Sequence, residues 1–136
     1  MRILIVDDDP LVVDFFTQAA NANGFSEIDT ASSGEEALGR VIQGTYDLIT
    51  LDIRMPGASG LEILSPLRNT CPHAVIAVIS GHIPDEPFLD LAGCADLMLG
   101  KPVDLDAFNH LLAGAAQIHS TMNQIRTLGA GGLKGS

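Results

Sequence analysis

Short apolar runs alternate with longer amphipathic stretches along the chain, and this alternation restricts the fold more than any other feature. The runs are four to seven residues long and rich in β-branched residues. Such runs are typical of strands buried on both faces of a parallel sheet. We predict five of them: Ile3 to Val6, Glu27 to Ala31, Tyr46 to Leu51, His73 to Ile79 and Ala95 to Leu99.

The stretches between these runs carry helix signals. Gly24 favours the left-handed C-cap of a first helix, Ser33 and Glu36 form a capping box, and Asp104 is a predicted N-cap. The five predicted helices cover roughly 10–22, 34–44, 60–69, a short one starting at 84–87, and a long one after Pro102. Strands that alternate with helices form βα units. The sequence therefore predicts an α/β fold of (βα)5 type, doubly wound, with a five-stranded parallel sheet and helices on both faces.

The charge balance excludes several classes of partner. Seven basic residues face 17 acidic ones, for a net charge of −10. Nucleic acids and anionic membranes both favour clustered Lys and Arg, so we expect no direct contact with either. Cys71 and Cys94 lack metal or disulfide spacing, and the first residues do not resemble a signal peptide. We expect a cytoplasmic protein with reduced thiols.

Chemically useful side chains follow the predicted strands. Asp7 and Asp8 come after the first strand, Asp52 after the third, Ser80 after the fourth and Lys101 after the fifth. Ligands of open parallel sheets bind at these carboxyl ends. Clustered carboxylates need a cation, and Mg²⁺ prefers oxygen ligands. The sequence thus predicts a magnesium site, while the glycine motifs of nucleotide-binding loops are missing.

These segments together resemble the receiver domain of two-component response regulators. The resemblance rests on Val6-Asp7-Asp8-Asp9-Pro10, the stretch from Asp47 to Gly57 with Gly60, Ser80, and Lys101-Pro102. Acidic turns and Lys-Pro pairs are each common, but all four segments occur here in the family's order and spacing. The resemblance covers residues 1 to about 118 and implies a flavodoxin-like receiver fold.

The resemblance also implies a role for each site residue. Asp52 would accept a phosphoryl group from a sensor histidine kinase or a phosphotransfer protein. Asp7, Asp8, Asp52 and the backbone carbonyl of Arg54 would hold Mg²⁺. Lys101 would pair with Asp52 or with a phosphoryl oxygen, and the Ser80 hydroxyl would donate to another. The chain would catalyse its own phosphorylation and dephosphorylation and would not be an enzyme acting on other substrates.

Two alternatives stay open at this point. A Mg²⁺-dependent phosphohydrolase with an Asp nucleophile needs a second carboxylate two residues later, where this chain has Arg54. A receiver-like module that binds partners independently of phosphorylation is the other alternative, although the full set of site residues argues against it. Met98 occupies a position where many receivers have an aromatic switch residue, so the form of the conformational response is open.

The last helix is predicted to continue beyond the receiver unit. Apolar residues repeat at spacings of 3 and 4, which is a stripe of period 3.5: Phe108, Leu111, Ala115, Ile118, Met122 and Ile125. We expect a receiver domain over 1–118, and a helical extension with a flexible Gly-rich tail over 119–136. The extension pairs with a second copy as a homodimer or contacts an output domain; alternatively it folds back on its own domain or frays.

Overall fold

The computed structural model describes residues 1–55, 60–81 and 93–135. The strands are β1 (Ile3–Val6), β2 (Ile28–Ala31), β3 (Leu48–Leu51), β4 (Val75–Ser80) and β5 (Leu97–Gly100). The helices are α1 (Pro10–Ala22), α2 (Gly34–Gln43), α3 (Gly60–Thr70) and, as α4, the last helix (Leu105–Gly135). The predicted short helix at 84–87 lies outside the described residues.

The five strands form one parallel sheet in the order β2-β1-β3-β4-β5. Alternate residues of β1 point to opposite faces, as strand geometry requires. Ile3 and Ile5 pack with α1 and α4, whereas Leu4 and Val6 pack with α2 and α3. Helices therefore cover both faces, and the predicted doubly wound fold is confirmed.

Two helix N-caps are formed by side chains, and the capping box that the sequence predicts at Ser33 has altered geometry. Asp9 caps α1 by accepting the Leu11 backbone N–H at 3.0 Å. The Ser33 hydroxyl accepts the Glu36 N–H at 3.1 Å, as a capping box requires. The Glu36 carboxylate, however, accepts from the backbone and hydroxyl of Ser32, at 3.3 and 3.1 Å. In a capping box this carboxylate accepts the N–H of the N-cap residue, here Ser33. Its hydrogen-bond donor in the structure is therefore one residue earlier than expected.

β3 begins two residues later than the sequence predicts, at Leu48. The residues before it are engaged through their side chains. The Tyr46 hydroxyl donates to Asp29 at 2.6 Å, and the Asp47 carboxylate accepts the Arg2 backbone N–H at 2.8 Å. These bonds connect the amino-terminal ends of β1, β2 and β3, at the edge opposite the strand ends that carry the predicted site.

The last helix runs further than the sequence predicts. α4 continues to Gly135, through a segment where the sequence predicts a flexible tail from Gly129. Adding a residue to an existing helix forms one more hydrogen bond, which offsets the cost of about 1 kcal/mol that each glycine carries. His119 ties the helix to the sheet, because its Nδ1 lies 3.0 Å from the Asp47 carboxylate.

The 31 residues of α4 would be long enough to cross a bilayer. Neither α4 nor any other helix in the described part of the chain has the sustained apolar character that a membrane span requires.

Candidate functional site

The carboxyl ends of four neighbouring strands bring the sequence-predicted side chains to one edge of the sheet. The ladder continues one residue past β3, because the Asp52 N–H donates to the Val6 carbonyl at 2.9 Å. Ser80 pairs in register with Gly100, and the Lys101 N–H donates to the Ser80 carbonyl at 2.9 Å. The backbone thus positions Asp52, Ser80 and Lys101 before any side-chain contact is considered.

Lys101 is the cation at the centre of this edge. Its Nζ donates to Asp7 Oδ2 at 2.7 Å and to Asp52 Oδ2 at 3.2 Å. Both carboxylates are buried, at 3% and 5% exposure, and the Lys101 side chain is 23% exposed. The resemblance implied that Lys101 pairs with Asp52 or with a phosphoryl oxygen. The structure has the contact with Asp52, but the shorter contact of Lys101 is to Asp7.

Backbone N–H groups fix the other oxygen of each buried carboxylate. Asp7 Oδ1 accepts the N–H of Asp9 at 2.9 Å, and Asp52 Oδ1 accepts the N–H of Arg54 at 2.9 Å. Sequence reasoning missed both donors. The signal was available, since an aspartate that ends a strand commonly accepts the N–H two residues later in an Asx turn. Each carboxylate is therefore held in one orientation before any ligand binds.

The local electrostatics show that the cluster is short of positive charge. Burial raises the pKa of Asp7, and the negative charge of Asp52 adds to the rise, although Lys101 and the Asp9 N–H oppose it. Burial lowers the pKa of Lys101, but its hydrogen bonds to Asp7 and Asp52 outweigh this effect and leave the pKa raised. Lys101 therefore stays charged, and one ammonium is shared between two buried carboxylates.

Asp8 adds a third carboxylate at the surface of the same cluster. Oxygen atoms of Asp7, Asp8 and Asp52 all lie within 4.8 Å of one another. Three carboxylates against one ammonium leave a formal charge of −2. Carboxylate oxygens are the preferred ligands of hard divalent cations, and such an ion neutralises that charge. The residues present therefore fit a divalent metal ion.

The remaining predicted residues differ in their exposure. Ser80 is buried, at 1% exposure, and is the last residue of β4. The Arg54 side chain is exposed, so its contribution here comes from its backbone. Met98 is half-buried and packs on the core between the sheet, α2 and α3. Pro56 and Gly57 of the resembling segment lie outside the described residues.

Comparison with known proteins agrees with this fold and identifies the family. The family model described as "Response regulator receiver domain" matches residues 3–113. The transcriptional regulatory protein TcrA of Mycobacterium tuberculosis is 32% identical over 108 residues, covering 78% of this chain and 42% of TcrA. The response regulator MprA of Mycobacterium avium is 36% identical over 107 residues, covering 78% of this chain and 46% of MprA. The chain thus spans less than half the length of these curated relatives.

Solved structures give the same result. The response regulator TrrA of Thermotoga maritima, crystallised in complex with Mg²⁺–BeF, matches with a TM-score of 0.73 and 36% identity, over 84% of this chain and 97% of that one. A CheY-like receiver domain protein of Methanospirillum hungatei matches with a TM-score of 0.80 and 26% identity, over 88% and 97%. The chain belongs to the response regulator receiver domain family, and it is a signalling module of two-component systems.

Proposed function

We propose that Asp52 is the phosphoacceptor of this receiver domain and that it works with Mg²⁺. The observation that carries the proposal is the pair of contacts made by Lys101, which holds an ammonium against a buried Asp52 in a cluster of net negative charge. Phosphoryl transfer needs chiefly positioning and charge neutralisation. This cluster supplies an oriented carboxylate, a fixed ammonium and ligands for a divalent ion.

Asp52 is the nucleophile in this proposal. One of its carboxylate oxygens attacks the phosphorus atom, forming an acyl phosphate as the bond from phosphorus to the donor breaks. Lys101 neutralises charge on a phosphoryl oxygen, and the Ser80 hydroxyl donates to another. The N–H of Arg54 keeps the Asp52 carboxylate in one rotamer, so the attacking atom is positioned in advance.

The metal would be held by the carboxylates of Asp7, Asp8 and Asp52 together with the backbone carbonyl of Arg54. Bound Mg²⁺ supplies positive charge beside the transferring phosphoryl oxygens. The Mg²⁺–BeF complex of TrrA supports the choice of ion. Because the chain would remove its own phosphoryl group with the same residues, we propose a self-limited signal and no enzymatic action on other substrates.

We propose a sensor histidine kinase or a phosphotransfer protein as the phosphoryl donor. Such donors draw on the ATP pool of the cytoplasm, which is where we place this chain. The receiver unit would occupy 1–118 and the helical extension 119–136, through which we also propose a homodimer. The net charge of −10 supports the absence of direct contact with nucleic acid or with a membrane.

The test is phosphorylation with a small acyl phosphate, followed by intact-mass measurement. We expect one phosphoryl addition to the wild type with Mg²⁺, none after chelation, and none in Asp52→Asn. Asp14→Asn serves as the matched control, because it removes the same charge from an exposed position on α1 and should label like the wild type. Equal labelling of Asp52→Asn would refute the assignment.

A further inference from the structure

The last helix exposes an apolar column along its length. Ile118 is 49% exposed, Ile125 54% and Leu128 75%. With Leu111 and Gly114 these residues repeat at spacings of 3, 4, 7 and 3 along one side of the helix, with Thr121 at the intermediate position. The receiver unit covers a different column of the same helix, so this one remains exposed.

A groove lies beside the first half of this column. It has a volume of about 510 Å³ and runs between the edge strand β5 and α4. Its apolar lining includes Val75, Leu97, Leu99, Leu111, Gly114 and Ile118. A Cβ built on Gly114 would meet no heavy atom within 4 Å, so the helix surface is open at that point.

We propose that two copies of the chain pair through antiparallel α4 helices, so that the extension of each copy covers the groove of the other. A two-fold axis between residues 119 and 120 places Leu128 opposite Leu111 and Ile125 opposite Gly114. The large side chains of the extension then meet the open half of the groove. This arrangement rests on the homodimer proposed above but not on the phosphoacceptor chemistry.

The charge distribution favours a second copy as the occupant. The chain carries a net charge of −10, yet from Ala107 to Leu128 the ionisable residues are His110, His119 and Arg126. In the antiparallel register Arg126 lies opposite Ala113, so no like charges face each other. Asp96 lines the groove, but its carboxylate is paired with Arg68 at 2.7 Å. Two acidic molecules can therefore approach closely along this helix.

The contact is of moderate size. The column from Leu111 to Leu128 is 18 residues long, about 27 Å at 1.5 Å per residue. A single helix face of that length buries less surface than the roughly 800 Å² per partner of a standard interface. We therefore expect a dissociation constant on the order of 10–100 μM.

Sedimentation equilibrium of the full chain tests the proposal. The apparent mass of the wild type should rise from 14.3 kDa towards twice that value across this concentration range. Gly114→Glu puts a charge opposite Ile125 and should weaken association by more than about tenfold. Ser120→Glu is the matched control, since it adds the same charge at an exposed position on the side of the helix away from the column, and it should associate like the wild type.

The double variant Gly114→Glu with Ile125→Lys tests the register. Antiparallel pairing brings these two opposite charges together twice per dimer, so association should return. A wild type that stays monomeric overturns the dimer, whereas a dimer unaffected by Gly114→Glu, or not restored in the double variant, overturns this arrangement. Labelling of Asp52 in each variant shows that the variant is folded. If the wild type itself is not labelled, the proposed phosphoacceptor function fails, whereas the dimer is judged from sedimentation alone.

Discussion

Replacing Asp7 by Asn should stabilise the metal-free protein. Asp7 and Asp52 are both buried, and their carboxylate oxygens lie within 4.8 Å of each other. At an effective dielectric constant of about 20, two such charges repel by about 3.5 kcal/mol. The substitution also removes the attraction between Asp7 and Lys101, which keeps its contact with Asp52. Burial, which is the largest cause, and the negative charge of Asp52 raise the pKa of Asp7 despite that attraction, so the charged form is destabilising. The net effect of the substitution should be a stabilisation, on the order of 1 kcal/mol for a buried charge with incomplete compensation.

The pH dependence has a definite sign. A carboxyl whose pKa is higher in the folded state binds more protons there, so stability falls as the pH rises through that pKa. The cost of the Asp7 charge is therefore fully present above the folded-state pKa of this group, and it is relieved as the pH falls from that pKa to the ordinary pKa of a carboxyl. Asp7→Asn should remove this part of the pH dependence.

Thermal unfolding at pH 7, with and without Mg²⁺, measures both effects. With chelator, Asp7→Asn should unfold roughly 3–8 °C above the wild type, whereas Asp14→Asn, exposed on α1, should differ little. Mg²⁺ at 100 times its dissociation constant should stabilise the wild type by about 2.7 kcal/mol. The variant should gain less, since it has lost a charged ligand. A lower melting temperature for metal-free Asp7→Asn would refute the reasoning.

Three further substitutions test the roles of buried groups. Lys101→Ala should retain Mg²⁺ binding but slow the labelling of Asp52 by acyl phosphate about 100-fold, and an unchanged rate would exclude the ammonium from the chemistry. Thr50→Val should raise the free energy of unfolding in urea by about 1 kcal/mol, because the buried Thr50 hydroxyl has no hydrogen-bond partner among the described residues. Arg68→Ala should lower that free energy by about 2–3 kcal/mol, because its guanidinium bonds the carbonyls of Cys94 and Ala74, and a loss below 0.5 kcal/mol, as is usual for surface changes, would contradict this.

The site residues could be predicted because topology alone brings them together. Parallel strands end at one edge, so Asp7, Asp52, Ser80 and Lys101 become neighbours once each is placed after its strand. The sequence could not predict which of the two carboxylates, Asp7 or Asp52, makes the shorter contact with Lys101. That preference depends on differences of half an ångström, at 2.7 and 3.2 Å, which are set by side-chain packing.

Sequence patterns predict hydrogen bonds between residues close in the chain better than bonds between distant ones. The caps formed by Asp9 and Ser33 depend on bonds spanning two or three residues, and both are present. The contacts of Arg68 with Cys94 and Asp96 cross 26 and 28 residues and had no counterpart in the sequence pattern. Such bonds depend on where α3 lies relative to the residues that precede β5, which periodicity does not specify.

The last helix shows why an apolar stripe does not identify its own partner. The predicted stripe separates in the structure into two columns: Phe108 and Ala115 are buried against the sheet, whereas Ile118 and Ile125 are half exposed. Met122 continues the covered column, so the start of the extension packs on its own domain while its other side is open. Truncation after residue 118 would therefore remove the His119–Asp47 contact together with any dimer surface. Gly114→Glu separates these effects, because it changes the open column and leaves the covered one intact.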